Sequence, residues 1–224
     1  LAMYPDQPEG KKHLYGAITA MDEQIGRLRK LLKDLGKEEN TIIFFCSDNG
    51  PDDGLFRKGV ASAGKLRGHK HQMYEGGIHV PSLMVWKGKL KEGSVCPERV
   101  GTVDYLPTIL DLLDLPAIND RPIDGVSMVP VLAGKPASKR TYPLAAGFMR
   151  LYDDLETYSL IEGDYKICIP VKRGKLEMYN LKKDPYETTD ISTKEPEIFN
   201  DLKEKLEAVK KSWLHSRDGG DYEW

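Results

Sequence analysis

The chain has 224 residues, with 33 Lys and Arg against 35 Asp and Glu and a formal net charge of −2. That balance excludes a nucleic-acid binder working by bulk basicity and an acidic disordered tail. No apolar run of about 18 residues is present to span a membrane, so neither a nucleic-acid nor a membrane partner is expected. Apolar residues at 40% suffice for a core, and a compact chain of this length buries roughly 70% of its unfolded surface. Leu1-Ala2-Met3-Tyr4-Pro5-Asp6-Gln7-Pro8 reads as an extended, Pro-broken segment entered mid-chain, and the expectation is a fragment. Three Cys cannot form a disulfide framework, and their odd number leaves a thiol unpaired. Cys46 and Cys168, each set in an apolar run, read as buried free thiols.

The first predicted element is an amphipathic helix over 12–35. Leu14, Ile18, Met21, Ile25, Leu28, Leu32 and Leu35 recur at spacings of three and four and share one face. Gly36 is placed to stop the helix in the left-handed conformation. Thr41-Ile42-Ile43-Phe44-Phe45-Cys46 follows, an unbroken β-branched and aromatic run that predicts a strand buried on both faces, as in a helix-covered parallel sheet. Residues 51–79 are Gly-rich, carry three His and show little apolar period, the mark of a long functional or disordered loop. Pro81-Ser82-Leu83-Met84-Val85-Trp86 predicts a second short buried strand, and 102–115 a helix with Pro107 near its first turn.

A Pro/Gly connector runs from about 117 to 140, with a short helical piece near Met128–Leu132. Short strands are then predicted at 158–161, 165–169 and 176–181, the first two joined by a tight Gly163-Asp164 turn. The last helix spans 194–214, with Ile198, Leu202, Leu206, Val209 and Trp213 on one face. The expected architecture is an α/β layer over 1–140 and a small α+β subdomain over 141–224. No internal repeat or low-complexity tract interrupts it.

Two segments could carry chemistry. Asp48-Asn49 lies at the carboxyl end of the first predicted strand, where open α/β sheets place their sites. One carboxylate and one amide carbonyl are hard oxygen ligands for Ca²⁺ or Mg²⁺; the same Asp-Asn-Gly-Pro tetrapeptide is also strong turn chemistry. Leu66-Arg67-Gly68-His69-Lys70-His71 concentrates cations before Tyr74-Glu75-Gly76-Gly77. Lys70 is a compact charge suited to an anionic oxygen and the histidines can exchange protons near neutrality, against the plainer reading of a solvated basic loop. Zinc on His69, His71 and His79 lacks the partner spacing of a structural site.

The order of these motifs resembles the formylglycine-dependent sulfatases of the alkaline-phosphatase-like superfamily. It runs from the helix Tyr15–Gly26 through Ser47-Asp48-Asn49-Gly50, then Lys70 with Tyr74-Glu75-Gly76-Gly77 and Val80-Pro81. Val103-Asp104-Tyr105-Leu106-Pro107-Thr108, Asp124-Gly125-Val126-Ser127 and Met178-Tyr179-Asn180-Leu181 with Asp184-Pro185 and Glu187 follow. The tone is nearest the bacterial arylsulfatase A and N-acetylgalactosamine-6-sulfatase-like branches. The resemblance implies an alkaline-phosphatase-like sandwich, mostly parallel sheet with helices, followed by a small antiparallel sheet packed on the C-terminal helix. It implies hydrolysis of sulfate esters of glycans or aryl alcohols, with Asp48 and Asn49 as two Ca²⁺ ligands and Lys70 contacting the sulfate. Asp104 and Asp184 are expected to fix turns and helix starts.

The departures are as informative. His69 and His71 flank the lysine where many relatives carry Gly or another residue, and His79 stands where Arg is frequent; these three shape substrate choice or are loop variation. The family's nucleophile, a formylglycine made from Cys or Ser in Cys-x-Pro-x-Arg, has no counterpart. Cys96-Pro97-Glu98-Arg99 has the wrong spacing and follows the Asp-Asn-Gly motif instead of preceding it. The early aspartates that complete the Ca²⁺ site and the upstream catalytic histidine are also missing; His13 falls too late. The expectation is therefore the C-terminal portion of a sulfatase, inactive alone, from a periplasmic or secreted parent. A phosphodiesterase or phosphonate hydrolase of the same superfamily and a non-catalytic glycan-binding relative are the rival readings. Nothing in the residues sets an oligomeric state.

Overall fold

The computed structural model describes residues 2–117, 121–149 and 155–221. Leu1 of the N-terminal segment and residues 118–120 of the Pro/Gly connector lie outside them. Two compact units divide the chain, Leu1–Gly93 and Ser94–Trp224.

In the first unit, residues 2–8 are not extended. They turn, and the Tyr4 hydroxyl lies 2.5 Å from Thr19 Oγ1 with its ring edge-on to Tyr15. The first helix, α1, is Glu9–Asp34. It starts earlier than the apolar stripe, because the Lys12 amide already reaches the Pro8 carbonyl at 3.0 Å. Gly36 ends it at φ 65°, with the Gly36 amide bonded to Lys33 O and the Lys37 amide to Leu32 O, the paired bonds of a Schellman stop. The predicted stripe is present but only partly covered: Leu14, Ile25 and Leu32 are half-buried, while Ile18, Met21, Leu28 and Leu35 are exposed.

Strand β1 (Ile43–Cys46) pairs antiparallel with β2 (Ser82–Val85), Ile43 opposite Val85 and Cys46 opposite Ser82. The Trp86 indole N–H donates to Glu39 O at 3.0 Å beyond the end of this ladder. Both sheets among the described residues are antiparallel. β1 is only half-buried, as is Cys46, and Leu83 of β2 is exposed. The expected parallel pairing and two-sided burial are thus not found here. An apolar β-branched run reports strand preference, while direction and burial depend on which neighbours lie alongside. The mixed α/β class stands. Between the strands, residues 51–79 are broken by two short helices, α2 (Asp53–Arg57) and α3 (Glu75–Ile78).

In the second unit, a single 3₁₀ turn at Thr102–Asp104 leads into α4 (Tyr105–Leu112), and α5 (Val129–Leu132) follows. Asp104, fully buried, ties these segments together. Its carboxylate accepts from the Gly101 and Val126 amides, each at 2.9 Å, and from both terminal nitrogens of Arg140 at 2.8 and 2.6 Å. Burial works against its ionisation, but Arg140 and the two amides outweigh that and hold the carboxyl below the usual aspartate range.

A four-stranded sheet follows in the order β3 (Leu144–Met149), β4 (Leu155–Glu162), β5 (Tyr165–Ile169), β6 (Glu177–Asn180). The sequence reading missed β3. Gly163-Asp164 closes the β4–β5 hairpin with Glu162 opposite Tyr165; only Gly163 of the two has positive φ, 57°, the type II′ pattern. One face of this sheet packs on α6 (Pro196–Arg217), joining Tyr158, Leu160, Ile167 and Met178 to Leu202 and Leu206. On the other face Lys166 is fully buried, its Nζ 2.8 Å from the equally buried Glu187. Asp184 shapes that turn by accepting from the Thr188 and Thr189 amides at 2.7 and 2.9 Å. Cys168 is buried, as expected of it, and Cys96 is exposed; no disulfide joins cysteines among the described residues.

Candidate functional site

Asp48 and Asn49 leave the end of β1 in a loop laced to the Lys70 segment by backbone hydrogen bonds. The Ser47 amide donates to Pro81 O (3.1 Å), the Gly50 amide to Gly77 O (2.8 Å) and the Lys70 amide to Pro51 O (2.9 Å). The glycines make this approach possible. A Cβ on Gly50 would lie 1.9 Å from Gly76 O, one on Gly76 2.5 Å from Arg67 O, and one on Gly77 2.1 Å from Gln72 O. The Gly-Gly of Tyr74-Glu75-Gly76-Gly77 is therefore a packing requirement. It lets the turn carrying Lys70 lie backbone to backbone against the Asp48-Asn49 loop. Residues 73–77 are all buried, with the Arg67 guanidinium 3.9 Å from the Tyr74 ring centre on the outer side.

Asp48 is exposed and Asn49 half-buried. Asn49 Oδ1 is itself buried and meets no hydrogen-bond donor among the described residues. Such an orphaned acceptor costs about 1–3 kcal/mol unless something fills it. A plain Asx turn would have used that oxygen; the turn here is held instead by Ser47 Oγ donating to Asn49 O at 2.9 Å. A buried amide oxygen without a partner, next to an accessible carboxylate, fits a hard cation. These are two ligands of the roughly 6–8 that Ca²⁺ takes, and no three His, Cys, Asp or Glu converge into a metal-holding group among the described residues.

Lys70 is half-buried and His71 exposed, with His71 in the left-handed region at φ 72°. His69 is different. Its Nε2 lies 3.1 Å from Asp53 Oδ1 and its Nδ1 3.0 Å from Lys70 O; its side chain is 12% exposed. Its ring centre is 5.2 Å from that of Phe56 on α2. His79 Nδ1 sits 3.0 Å from the buried Glu75. Among the described residues His69, His71 and His79 do not gather into one metal-holding group.

Asp53 went unnoticed in the sequence. The available signal was Asp52-Asp53-Gly54 after Pro51: Asp52 caps α2 by accepting from the Gly54 and Leu55 amides, and Arg57 follows Asp53 by one helical turn. Arg57 Nε bonds Asp53 at 2.5 Å. That bond, with the charges of Arg57, His69 and His71, lowers the Asp53 carboxyl below its ordinary range against a smaller opposing effect of burial. In the second unit, a cavity of about 320 Å³ among Tyr142, Leu144, Val209 and Trp213 contains none of the sequence-predicted site residues.

The loop sets an acidic and an amide oxygen, both hard donors, beside a turn that carries a lysine cation, in a mixed α/β fold. The sulfatase family model matches residues 11–115, and the model described as N-sulphoglucosamine sulphohydrolase, C-terminal, matches residues 68–212. The chain belongs to the sulfatase family. An arylsulfatase of Clostridium perfringens is 30% identical, with 93% of this chain and 40% of that protein aligned. An N-acetylgalactosamine-6-O-sulfatase of Bacteroides thetaiotaomicron is 28% identical, over 86% of this chain and 41% of that protein. The chain thus spans about two fifths of these relatives. Among solved structures, Ps i-CgsB in complex with a neocarrahexaose has a TM-score of 0.81 at 24% identity, covering 93% of this chain and 45% of its own. BT4656, solved with its substrate D-glucosamine-2-N,6-O-disulfate, has a TM-score of 0.66 at 26% identity, covering 88% and 39%.

Proposed function

We propose that this chain supplies the cation-binding and sulfate-binding part of an enzyme that hydrolyses sulfate esters, R–O–SO₃⁻, of glycans or aryl alcohols. The observation that carries the reading is the buried, unpartnered Asn49 Oδ1 beside Asp48, in a loop bonded through Pro51 to the Lys70 peptide. Asp48 and Asn49 would hold Ca²⁺, which when bound supplies a fixed positive charge at the sulfuryl oxygens. Lys70 adds a second cation, so that charge developing on those oxygens meets preorganised positive groups. Leu1–Trp224 contain no Cys-x-Pro-x-Arg, and the formylglycine nucleophile of this proposal belongs to a longer parent protein. A sulfated amino sugar is the favoured substrate class, supported by the names of the Bacteroides relative and of the ligand in the glucosamine disulfate complex. The test is turnover by the full-length protein of 6-O-sulfated N-acetylgalactosamine, an aryl sulfate and a phenyl phosphonate ester. Sulfate release with little phosphonate cleavage is expected. Preferential phosphonate cleavage would favour the phosphonate-hydrolase reading, and binding of the sulfated sugar without turnover would favour the glycan-binding one.

A further inference from the structure

We infer that His69 is a positioning residue, one that fixes the Lys70 peptide against the start of α2 without touching substrate; this rests on the sulfate-binding role proposed for Lys70. Both groups facing the His69 ring, the Lys70 carbonyl at 3.0 Å and the Asp53 carboxylate at 3.1 Å, are acceptors. Whichever ring nitrogen carries a proton donates to the acceptor it faces, and both nitrogens are turned toward these two protein groups. The ring is nearly buried and lies against Phe56, so its plane is fixed by packing as well.

The consequence lies in the wiring. Asp53 opens α2 four residues after Asn49, and Pro51, between them, accepts the Lys70 amide at 2.9 Å. The Lys70 peptide is thus held at both ends by the same short segment: its N–H directly by Pro51, its C=O through the His69 ring by Asp53. That segment is the continuation of the Asp48-Asn49 loop. His69 accordingly sets the distance between the cation ligands and the lysine, the quantity that decides whether both charges reach one sulfuryl group. A glycine at this position could not make either bond. His71, on the other side of Lys70, is exposed.

The test is steady-state kinetics of the full-length protein with a sulfate ester, for His69→Ala, His69→Asn, His69→Gln, Asp53→Ala and the double variant Asp53→Ala/His69→Ala, with Lys70→Ala as reference and thermal unfolding of each as the fold control. An Asn amide nitrogen falls near the place of Nδ1 and keeps the bond to the Lys70 carbonyl; a Gln amide nitrogen falls nearer Nε2 and keeps only the bond to Asp53. His69→Ala should lower kcat by about 10- to 100-fold, the cost of a misplaced catalytic group, with KM changed less than about threefold. His69→Asn should recover most of the loss and His69→Gln much less. The double variant should be no worse than His69→Ala, since the two residues act through one connection. A rise in KM with kcat intact in His69→Ala would make His69 a substrate contact and overturn the inference. So would equal losses in the Ala and Asn variants, or kcat unchanged in His69→Ala while Lys70→Ala is crippled; in that last case the sulfatase reading would stand. Should Lys70→Ala itself turn over normally, the proposed role of Lys70 falls, and the positioning role of His69 with it.

Discussion

Replacing Asp104 tests the frame of the second unit. Its carboxylate is fully buried and accepts four hydrogen bonds, two from backbone amides and two from Arg140. Removing one member of a buried ion pair costs about 3–5 kcal/mol, because the partner charge is stranded. Arg140 is 20% exposed, so water recovers part of that charge, while the Gly101 and Val126 amides lose their acceptor. Asp104→Ala should therefore destabilise by about 3 kcal/mol, read as a lower urea midpoint at unchanged slope. The pH dependence has a definite sign. The folded-state carboxyl is held below its unfolded value, so the stabilisation is fully present above pH about 4, the unfolded aspartate value. It is lost as pH falls through the lower folded value. Asp104→Asn should flatten the part of the acid limb that this residue contributes. A loss under about 1 kcal/mol for Asp104→Ala, or an acid limb unchanged by Asp104→Asn, would refute the argument that this carboxylate organises the unit.

Three other outcomes are expected. Lys70→Ala in the full-length protein should lower turnover of a sulfate ester by about 10²–10³-fold, the scale of losing one oxyanion donor, while Lys65→Ala, exposed in the same loop, should turn over almost normally. Gly50→Ala should disrupt the approach of the two loops, because its Cβ would lie 1.9 Å from Gly76 O; overpacking of this kind costs about 1–3 kcal/mol or more, measurable by hydrogen exchange at the Gly50 and Lys70 amides. The 224-residue chain alone should release no sulfate from an aryl sulfate above a Lys70→Ala control, and calorimetry should find at most weak Ca²⁺ binding, since two side-chain ligands are far from a full coordination shell.

Local signals were legible where one segment decides its own structure. The stripe from Leu14 to Leu35 with Gly36 behind it fixes α1 and its end, and Gly163-Asp164 fixes the hairpin. Strand β3 carried no such signal: Leu144-Ala145-Ala146-Gly147 is poor strand material and becomes a strand through pairing with β4. Lys166 misleads for the same reason. Alternation along Tyr165-Lys166-Ile167 places it on the polar face, yet that face is buried and Glu187, from a distant turn, neutralises it. Asp48, Asn49 and Lys70 could be proposed from motif order, but Asp53 as the partner of His69 and Arg140 as the partner of Asp104 could not. Those pairs are 16 and 36 residues apart and are made by folding, with no periodicity to announce them.

The central claim, that Asp48 and Asn49 hold the cation with which Lys70 acts, is tested most directly by the Ca²⁺ dependence of sulfate ester turnover in the full-length Asn49→Ala variant. Asn49 Oδ1 makes no hydrogen bond among the described residues that its removal would break, so the loop should keep its shape and the variant its thermal stability. The account predicts a half-maximal Ca²⁺ concentration raised at least about 10-fold, equivalent to about 1.4 kcal/mol of lost binding. An unchanged Ca²⁺ dependence, with thermal stability also unchanged, would contradict it.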